Sequence, residues 1–194
     1  MILHNNWEDL IRECTNCYKC PLGNTRTNIV IGRGNPKATL MFVGEGPGEQ
    51  EDLQGKPFVG PAGQLLDLLL EALMFDVDDY YIANIVKCRP PGNRVPTDEE
   101  ANKCLDYLRN QVYLIKPQII VCLGATAMKY IVDKNARITQ IRGQWIERKM
   151  EKKECWIMPT FHPAALLRDE SKKLLMWDDL KKVKLKFDEI TKKV

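Results

Sequence analysis

Apolar and polar residues follow two recurring patterns along the chain, one typical of buried strands and one typical of amphipathic helices. Short apolar, β-rich runs are separated by longer segments in which apolar side chains recur every three to four residues. The runs predict strands over 38–43, 80–86, 119–123 and 156–158. The longer segments predict helices over 3–14, 60–75 and 98–114, one that follows Gly124 and ends at Val132, and one in the Lys-rich C-terminal segment 172–194.

Strands that alternate with helices predict an α/β fold, with a central parallel sheet flanked by helices on both faces. The run 119–123 is apolar throughout, which is typical of a parallel strand buried on both sides. Ligand sites in such folds form at the carboxyl ends of the strands. The unusual residue clusters follow predicted strands, at 44–52, 87–96 and 159–168. We therefore expect one functional site at that edge of the sheet.

Composition and charge narrow the class of protein. The chain has 194 residues, 44% apolar and 28% charged, without internal repeats, which excludes general disorder and repeat architectures. No apolar run approaches the ~20 residues of a membrane span, and the N-terminus lacks the features of a signal peptide. We expect a cytoplasmic protein with no membrane contact. A net charge of +3 is compatible with a nucleic-acid partner without requiring one.

The acidic glycine loop 44–52, GEGPGEQED, does not match the known phosphate-binding loops. A dinucleotide fingerprint needs glycine where this chain has Glu49, and the neighbouring carboxylates would repel a pyrophosphate. The P-loop pattern GxxxxGK[ST] is missing from the sequence. We therefore do not expect a nucleotide cofactor.

Seven cysteines in a chain of the reducing cytosol favour a metal site over disulfides. Cys122 and Cys155 fall in or beside predicted strands and read as small core residues. The four candidate ligands are the CxxC pair Cys17 and Cys20, with the later pair Cys88 and Cys104. Four thiolates can hold either zinc or an iron–sulfur cluster, and the long gap between the two pairs mildly favours a cluster. Cys14 is a competing ligand, three residues before Cys17.

Features suited to a flat heterocyclic ligand also fall at the predicted sheet edge. The glycines of 44–52 allow close approach of the backbone, and Phe58 can stack on a base. The amide of Asn84 can read a carbonyl next to an N–H, and His162 can donate to a developing oxyanion. Each residue alone also has a structural explanation, as a core aromatic, a turn cap or a structural histidine.

In combination these residues resemble the family 4 uracil-DNA glycosylases, the thermostable iron–sulfur type. The resemblance covers about residues 17–177, and it implies that 1–194 is a single domain with the three-layer sandwich of uracil-DNA glycosylases. It further implies that the cluster ties the N-terminal cysteine-containing segment into this domain. The motifs that carry it are GEGPGEQEDLQGKPFVGPAGQLLD, NIVKCRPPGNRVPT, LGA at 123–125, IRGQW at 141–145 and FHPAALLR.

The resemblance assigns residues to roles. The related family 1 uracil-DNA glycosylases carry an Asp where this chain has Gly46. The nearest carboxylate that could activate water here is therefore Glu45, with Glu51 as second choice. His162 would donate to uracil O2 as the base leaves. Asn84 would pair with uracil O4 and N3–H. The implied ligands of one 4Fe–4S cluster are Cys17, Cys20, Cys88 and Cys104; the implied uracil pocket is Gly44, Glu45, Gly46, Phe58, Asn84 and His162; the implied DNA contacts are Leu166 and Leu167 as apolar plugs and Arg168 on a phosphate.

The implied activity is that of a monofunctional DNA glycosylase in base excision repair, acting on uracil in single- or double-stranded DNA. Two alternatives stay open: a non-catalytic metal-bearing nucleic-acid module of replication or repair, and a different base or nucleoside hydrolase on the same fold. We expect a monomer, because no sustained apolar heptad is present. Contact with a sliding clamp stays open. For the C-terminal segment we favour a docked helix over a DNA-backbone contact.

Overall fold

The computed structural model describes residues 6–150 and 153–192, which form a mixed six-stranded sheet covered by helices on both faces. The strands are β1 (Arg33–Gly34), β2 (Leu40–Gly44), β3 (Tyr80–Asn84), β4 (Ile119–Leu123), β5 (Ile146–Met150) and β6 (Lys153–Thr160). The helices are α1 (Trp7–Thr15), α2 (Leu22–Thr25), α3 (Glu49–Gln54), α4 (Pro61–Ala72), α5 (Asp98–Ile115), α6 (Gly124–Ile131), α7 (Ile138–Ile141), α8 (Pro163–Arg168) and α9 (Lys172–Thr191).

The sheet has the order β1-β3-β2-β4-β6-β5, and its four central strands are parallel. This confirms the predicted α/β class. The two edge strands β1 and β5 are antiparallel to their neighbours and were not predicted. Gly44 pairs with Asn84, and Leu123 pairs with Thr160. The carboxyl ends of the four central strands therefore lie side by side, along what we call the carboxyl edge of the sheet.

The two faces of the sheet each bury a separate apolar core. In β2, Met41 and Val43 pack into the core beneath α1 and α5, whereas Leu40 and Phe42 pack into the core beneath α4 and α9. This alternation is the period-two geometry of a strand. All five residues of β2 are buried, so the strand reads as a continuous apolar run.

The N-terminal helix begins later than predicted. The side chain of Asn6 accepts the backbone N–H of Asp9 and caps α1, whose first residue is Trp7. The predicted positions 3–5 lie outside the described residues.

The C-terminal helix α9 is docked, as predicted. It packs against α8, β4 and β6, and it buries Met176, Leu180, Val183 and Phe187. Within the described part of the chain, every helix is too short or too polar to cross a bilayer.

Candidate active site

An open groove runs along the carboxyl edge of the sheet, where the loops after β2, β4 and β6 meet the end of β3. Loops at this edge build ligand sites in doubly wound α/β folds. The structure brings most of the predicted site residues together here. Those that line the groove are Glu45, Gly46, Phe58, Asn84, His162, Leu167 and Arg168.

Asn84, the last residue of β3, carries a buried amide at this groove. It is 2% exposed, and its Oδ1 has no hydrogen-bond partner among the described residues. A buried acceptor without a partner costs on the order of 1–3 kcal/mol. Since the side chain lines the groove, a ligand N–H can supply the missing donor.

Two glycines at the end of β2 and after it, Gly44 and Gly46, have no room for a side chain. A β-carbon at Gly44 would lie 2.5 Å from Asn84 Oδ1 and 2.6 Å from Phe58 Cζ, so a side chain there would displace both. A β-carbon at Gly46 would lie 2.7 Å from Val86 Cγ2. An aspartate at that position therefore requires Val86 to move.

Phe58 is held in a strained conformation beside Asn84. Its φ is +54°, in the left-handed region that bulky residues rarely adopt. Glu51 Oε1 accepts the N–H groups of Val59 and Gly60 at 2.9 and 2.8 Å, and Arg33 Nε donates to the Pro57 carbonyl at 3.0 Å. These contacts fix the ring, which stacks on His162 with 5.6 Å between centroids.

His162 is partly buried and N-caps α8. Its Nδ1 accepts the N–H of Ala164 at 3.1 Å, so a neutral ring carries its proton on Nε2. Burial lowers the pKa of His162 to about 4, with help from the charge of Arg168 and against that of Glu51. The imidazole is therefore neutral at pH 7 and offers one N–H donor.

The two candidate carboxylates differ in how they are engaged. Glu45 Oε2 accepts the hydroxyl of Thr126 in α6, and its carboxylate lines the groove. Both oxygens of Glu51 are occupied by backbone N–H groups, Oε1 as above and Oε2 by Gly48 at 3.1 Å. Glu51 is thus a scaffold of the acidic loop, and Glu45 is the carboxylate available to a ligand.

The three predicted DNA-contacting residues in α8 separate by exposure. Leu166 is fully buried in the core shared with α4 and α9, so it cannot enter a base stack without leaving that core. Leu167 is 51% exposed at the groove rim, and Arg168 lies exposed next to it. The burial of Leu166 does not fit its predicted role as a plug, whereas the exposure of Leu167 is compatible with that prediction.

A buried ion pair that the motif analysis missed anchors the strand that leads to His162. Asp179 of α9 is 1% exposed and pairs with Arg142, at 2.6 Å to Nη2 and 3.0 Å to Nε. The Thr160 hydroxyl donates to the same carboxylate at 2.6 Å. Burial raises the pKa of Asp179, opposed by Thr160 and Arg142.

Replacing Asp179 with alanine is expected to lower the free energy of unfolding by about 3–5 kcal/mol, because it leaves the Arg142 guanidinium half-buried without its partner. Urea unfolding measures the change. The matched control is Asp178→Ala, one residue away, where the pair with Lys181 is exposed and its loss is expected to lower the free energy of unfolding far less. Equal destabilisation by the two variants would contradict the anchoring role of Asp179.

Cysteines from the segment after α1, from the segment after β3 and from α5 come together at a second place in the fold. One cavity is lined by Cys17, Cys20, Cys88 and Cys104, the predicted ligands. Cys14 is buried at the end of α1 and does not line the cavity, while Cys122 and Cys155 are buried within β4 and β6.

Hydrogen-bond donors point at two of these sulfurs. Arg26 Nη1 donates to Cys88 Sγ, and the backbone N–H of Lys87 donates to Cys104 Sγ, each at 3.3 Å. As free thiols these groups stay protonated, since burial raises the pKa of Cys104 to about 12 and also raises that of Cys88. A bound metal centre would reverse this preference by stabilising the thiolates. Four thiols around one cavity, with donors aimed at sulfur, fit a thiolate-bound centre.

Comparison with known proteins gives the family of this chain. Residues 31–181 match the model of the uracil DNA glycosylase superfamily. A type-4 uracil-DNA glycosylase of Thermotoga maritima is 48% identical over 87% of this chain and 88% of its own. One of Sulfurisphaera tokodaii is 44% identical over 91% and 83%. A DNA polymerase of Bacillus phage SP01 is 34% identical over 71% of this chain, which is 14% of that protein.

The family expected from the motifs is thereby confirmed, and the similarity to the type-4 proteins extends over most of both chains. The chain belongs to the uracil-DNA glycosylase superfamily.

Proposed function

We propose that this protein is a uracil-DNA glycosylase that extrudes uracil from DNA and hydrolyses its N-glycosidic bond. The product is an abasic site, as in base excision repair of deaminated cytosine. Superfamily membership and the type-4 relatives support the enzyme class. The observation that supports uracil as the substrate is the buried Oδ1 of Asn84 in the groove, which has no partner among the described residues. Uracil offers N3–H as a donor to this oxygen, beside the O4 acceptor.

The reaction breaks the bond between C1′ and N1, with the bonding electrons leaving on the uracil ring. The Nε2–H of His162 donates to uracil O2 and stabilises the resulting anion. A water adds to the sugar cation at C1′ and loses one proton. Glu45 lines the same groove and can orient this water or take its proton, since its second oxygen is free of the Thr126 contact.

Incubation with uracil-containing oligonucleotides tests this proposal. Single strands and duplexes that carry uracil, hypoxanthine or a T·G mismatch are treated with the protein in EDTA and then with alkali. We expect strand cleavage at uracil, and free uracil in the supernatant. DNA binding without base release would instead indicate a non-catalytic module, and release of another base alone would indicate a different hydrolase. The superfamily comparisons do not favour the module.

Leu167 is the proposed plug for the base stack that the uracil vacates, with Arg168 on a neighbouring phosphate. We expect Leu167→Ala to slow excision from duplex DNA about tenfold and from single strands less than about threefold, because only the duplex has a stacked gap to fill. Single-turnover rates on both substrates measure the contrast. Leu185→Ala, at an exposed leucine of α9, is the control and should change neither rate. A Leu167→Ala effect of equal size on both substrates would contradict the plug.

We propose that Cys17, Cys20, Cys88 and Cys104 hold one 4Fe–4S cluster. The cluster would be structural: it would tie the N-terminal segment to the loop after β3 and to α5, which carry Cys88 and Cys104. The four cysteines around one cavity support it, as do the hydrogen-bond donors aimed at the sulfurs of Cys88 and Cys104. When bound, the cluster supplies a rigid, negatively charged centre, and no step of the hydrolysis passes through it.

Serine variants test the proposed ligands. Replacing Cys17, Cys20, Cys88 or Cys104 is expected to reduce iron from about four atoms per chain to below about one, to remove absorbance near ~400 nm and to lower the melting temperature. Iron assay, absorbance and thermal unfolding measure these changes. The matched control is Cys14→Ser, which should keep the iron. Iron loss on changing Cys14, with retention on changing Cys20, would overturn this ligand set.

We propose that the protein acts as a monomer, since no sustained apolar heptad is present in the sequence.

A further inference from the structure

Lys87 is a fully buried lysine that lies between the groove residue Asn84 and the cavity of the four cysteines. Its side chain is 0% exposed. Its Nζ donates to the carbonyl oxygen of Asn84 at 2.8 Å and to Gln111 Oε1 at 2.6 Å. Lysine is rarely buried so completely, because removing an ammonium from water is costly unless it is compensated. Both of these partners are neutral oxygens.

The other contacts of Lys87 lie on the cysteine side. Lys87 is one of the residues that line the cavity of the four cysteines, and its backbone N–H donates to Cys104 Sγ at 3.3 Å. The next residue, Cys88, is itself a proposed ligand. A cluster held by four thiolates would therefore place negative charge beside this ammonium.

Gln111 fixes the far end of the same lysine. It lies on α5, the helix that carries Cys104, and it is fully buried. Its Nε2 donates to the carbonyl of Ile31 at 2.8 Å and to the hydroxyl of Tyr81 at 3.4 Å. The amide is thus oriented with its oxygen toward Lys87, which sets the position of Nζ.

We propose that Lys87 is a positioning residue that couples the cysteine centre to base reading by Asn84. The ammonium holds the carbonyl of Asn84, and with it the last residue of β3, from which the amide enters the groove. Displacement of a binding group by about 1 Å is enough to lose most of its contribution to a reaction. The negative charge of the centre would compensate the buried ammonium. This inference rests on the proposed function.

The main variant is Lys87→Met, which keeps most of the length of the side chain without its charge or donors. Lys103→Met is the matched control: Lys103 is next to Cys104 in sequence, but its side chain is exposed and pairs with Glu99 at 2.6 Å. Two quantities are measured on iron-loaded protein. One is the single-turnover rate of uracil release. The other is the affinity for a duplex with uncleavable 2′-fluoro-2′-deoxyuridine, relative to the same duplex with thymine.

We expect Lys87→Met to reduce the rate and the preference for the fluorinated uracil duplex each about tenfold, with binding to the thymine duplex unchanged. Lys103→Met should change none of these. The decisive comparison repeats Lys87→Met in an Asn84→Ala background. If Lys87 acts through Asn84, the loss there should shrink to below about threefold, because interacting residues are non-additive.

Several results would overturn the proposal. An equal effect of Lys87→Met with and without Asn84 would mean that Lys87 acts elsewhere, and a lower melting temperature with unchanged base preference would mean a structural role only. If Lys87→Met does not fold or load iron, Gln111→Met replaces it and should give the same pattern at a few-fold amplitude. A parent protein that releases no uracil defeats the proposed function itself, whereas active parent and Lys103→Met proteins confine a failure to Lys87.

Discussion

A His162→Ala protein is expected to release uracil about 10²–10³-fold more slowly than the parent under single-turnover conditions. The neutral ring carries its proton on Nε2, because Nδ1 accepts the N–H of Ala164. That proton is a preorganised donor for the uracil anion, which forms only as the bond breaks. Its loss should therefore lower the rate of the chemical step. Affinity for uracil-free duplex should stay within about twofold, since the donor acts on the base.

His162→Gln is the control for this variant, since it retains a neutral donor and should recover part of the rate. The pH profile separates a neutral donor from a charged one. Burial holds the pKa of His162 near 4, below its ordinary value of 6.5. The ratio of parent to His162→Gln rates should therefore be flat between pH 5 and 8. An imidazolium donor would make it fall as the pH rises through 6.5, and a His162→Ala protein as fast as the parent would remove the residue from the mechanism.

The same pKa shift fixes the direction of a stability effect. The unfolded chain binds a proton at His162 below pH 6.5, whereas the folded chain resists it down to about pH 4. The contribution of this group to stability is therefore present above pH 6.5 and declines as the pH falls from there towards 4.

The sheet was predictable where burial alone decides the pattern. Leu40–Gly44 and Ile119–Leu123 are buried at every position, so their apolar runs mark central parallel strands. The edge strand Ile146–Met150 escaped prediction because its sequence, IERKM, is mostly charged. It exists through antiparallel pairing with Lys153–Thr160, a tertiary contact without a hydrophobic signal of its own.

The groove residues were predictable because they follow strands, but their supports were not. Asp179 lies in an amphipathic Lys-rich helix, where an acid reads as one more exposed charge. Only packing reveals that it faces Arg142 and Thr160. Lys87, in the run NIVKC, was also missed, because only packing reveals that its side chain is buried. The one available signal for Asp179 is its spacing of three and four residues from Met176 and Val183, on the buried face of α9.

Leu166 shows the limit of motif transfer. The FHPAALLR motif contains two adjacent leucines, and a motif does not say which one faces solvent. Neighbours in a helix point about 100° apart, so one can enter the core while the other reaches the rim. Here Leu166 fills the core, and Leu167 is the exposed one.

Replacement of Asn84 is expected to give the second large loss. In Asn84→Ala, uracil N3–H and O4 lose their partners in the pocket, and we expect excision to slow about 10²–10³-fold. Removal of the amide also removes the buried oxygen that has no hydrogen-bond partner in the described part of the chain, so the variant should fold at least as stably as the parent. Reduced activity with undiminished stability is the signature of a group kept for its ligand.

Asn84→Asp sharpens this test, because it changes the chemistry with little change in size. A carboxylate cannot donate to uracil O4 and repels it, but it can accept from the N4 amine of cytosine. Uracil release should fall at least as far as in Asn84→Ala, and slow release of cytosine from a C-containing oligonucleotide should become measurable. Free bases separated by chromatography report both activities. If both variants excise uracil at the parental rate, the orphan oxygen is not the reader of the base, and the substrate must be recognised elsewhere in the groove.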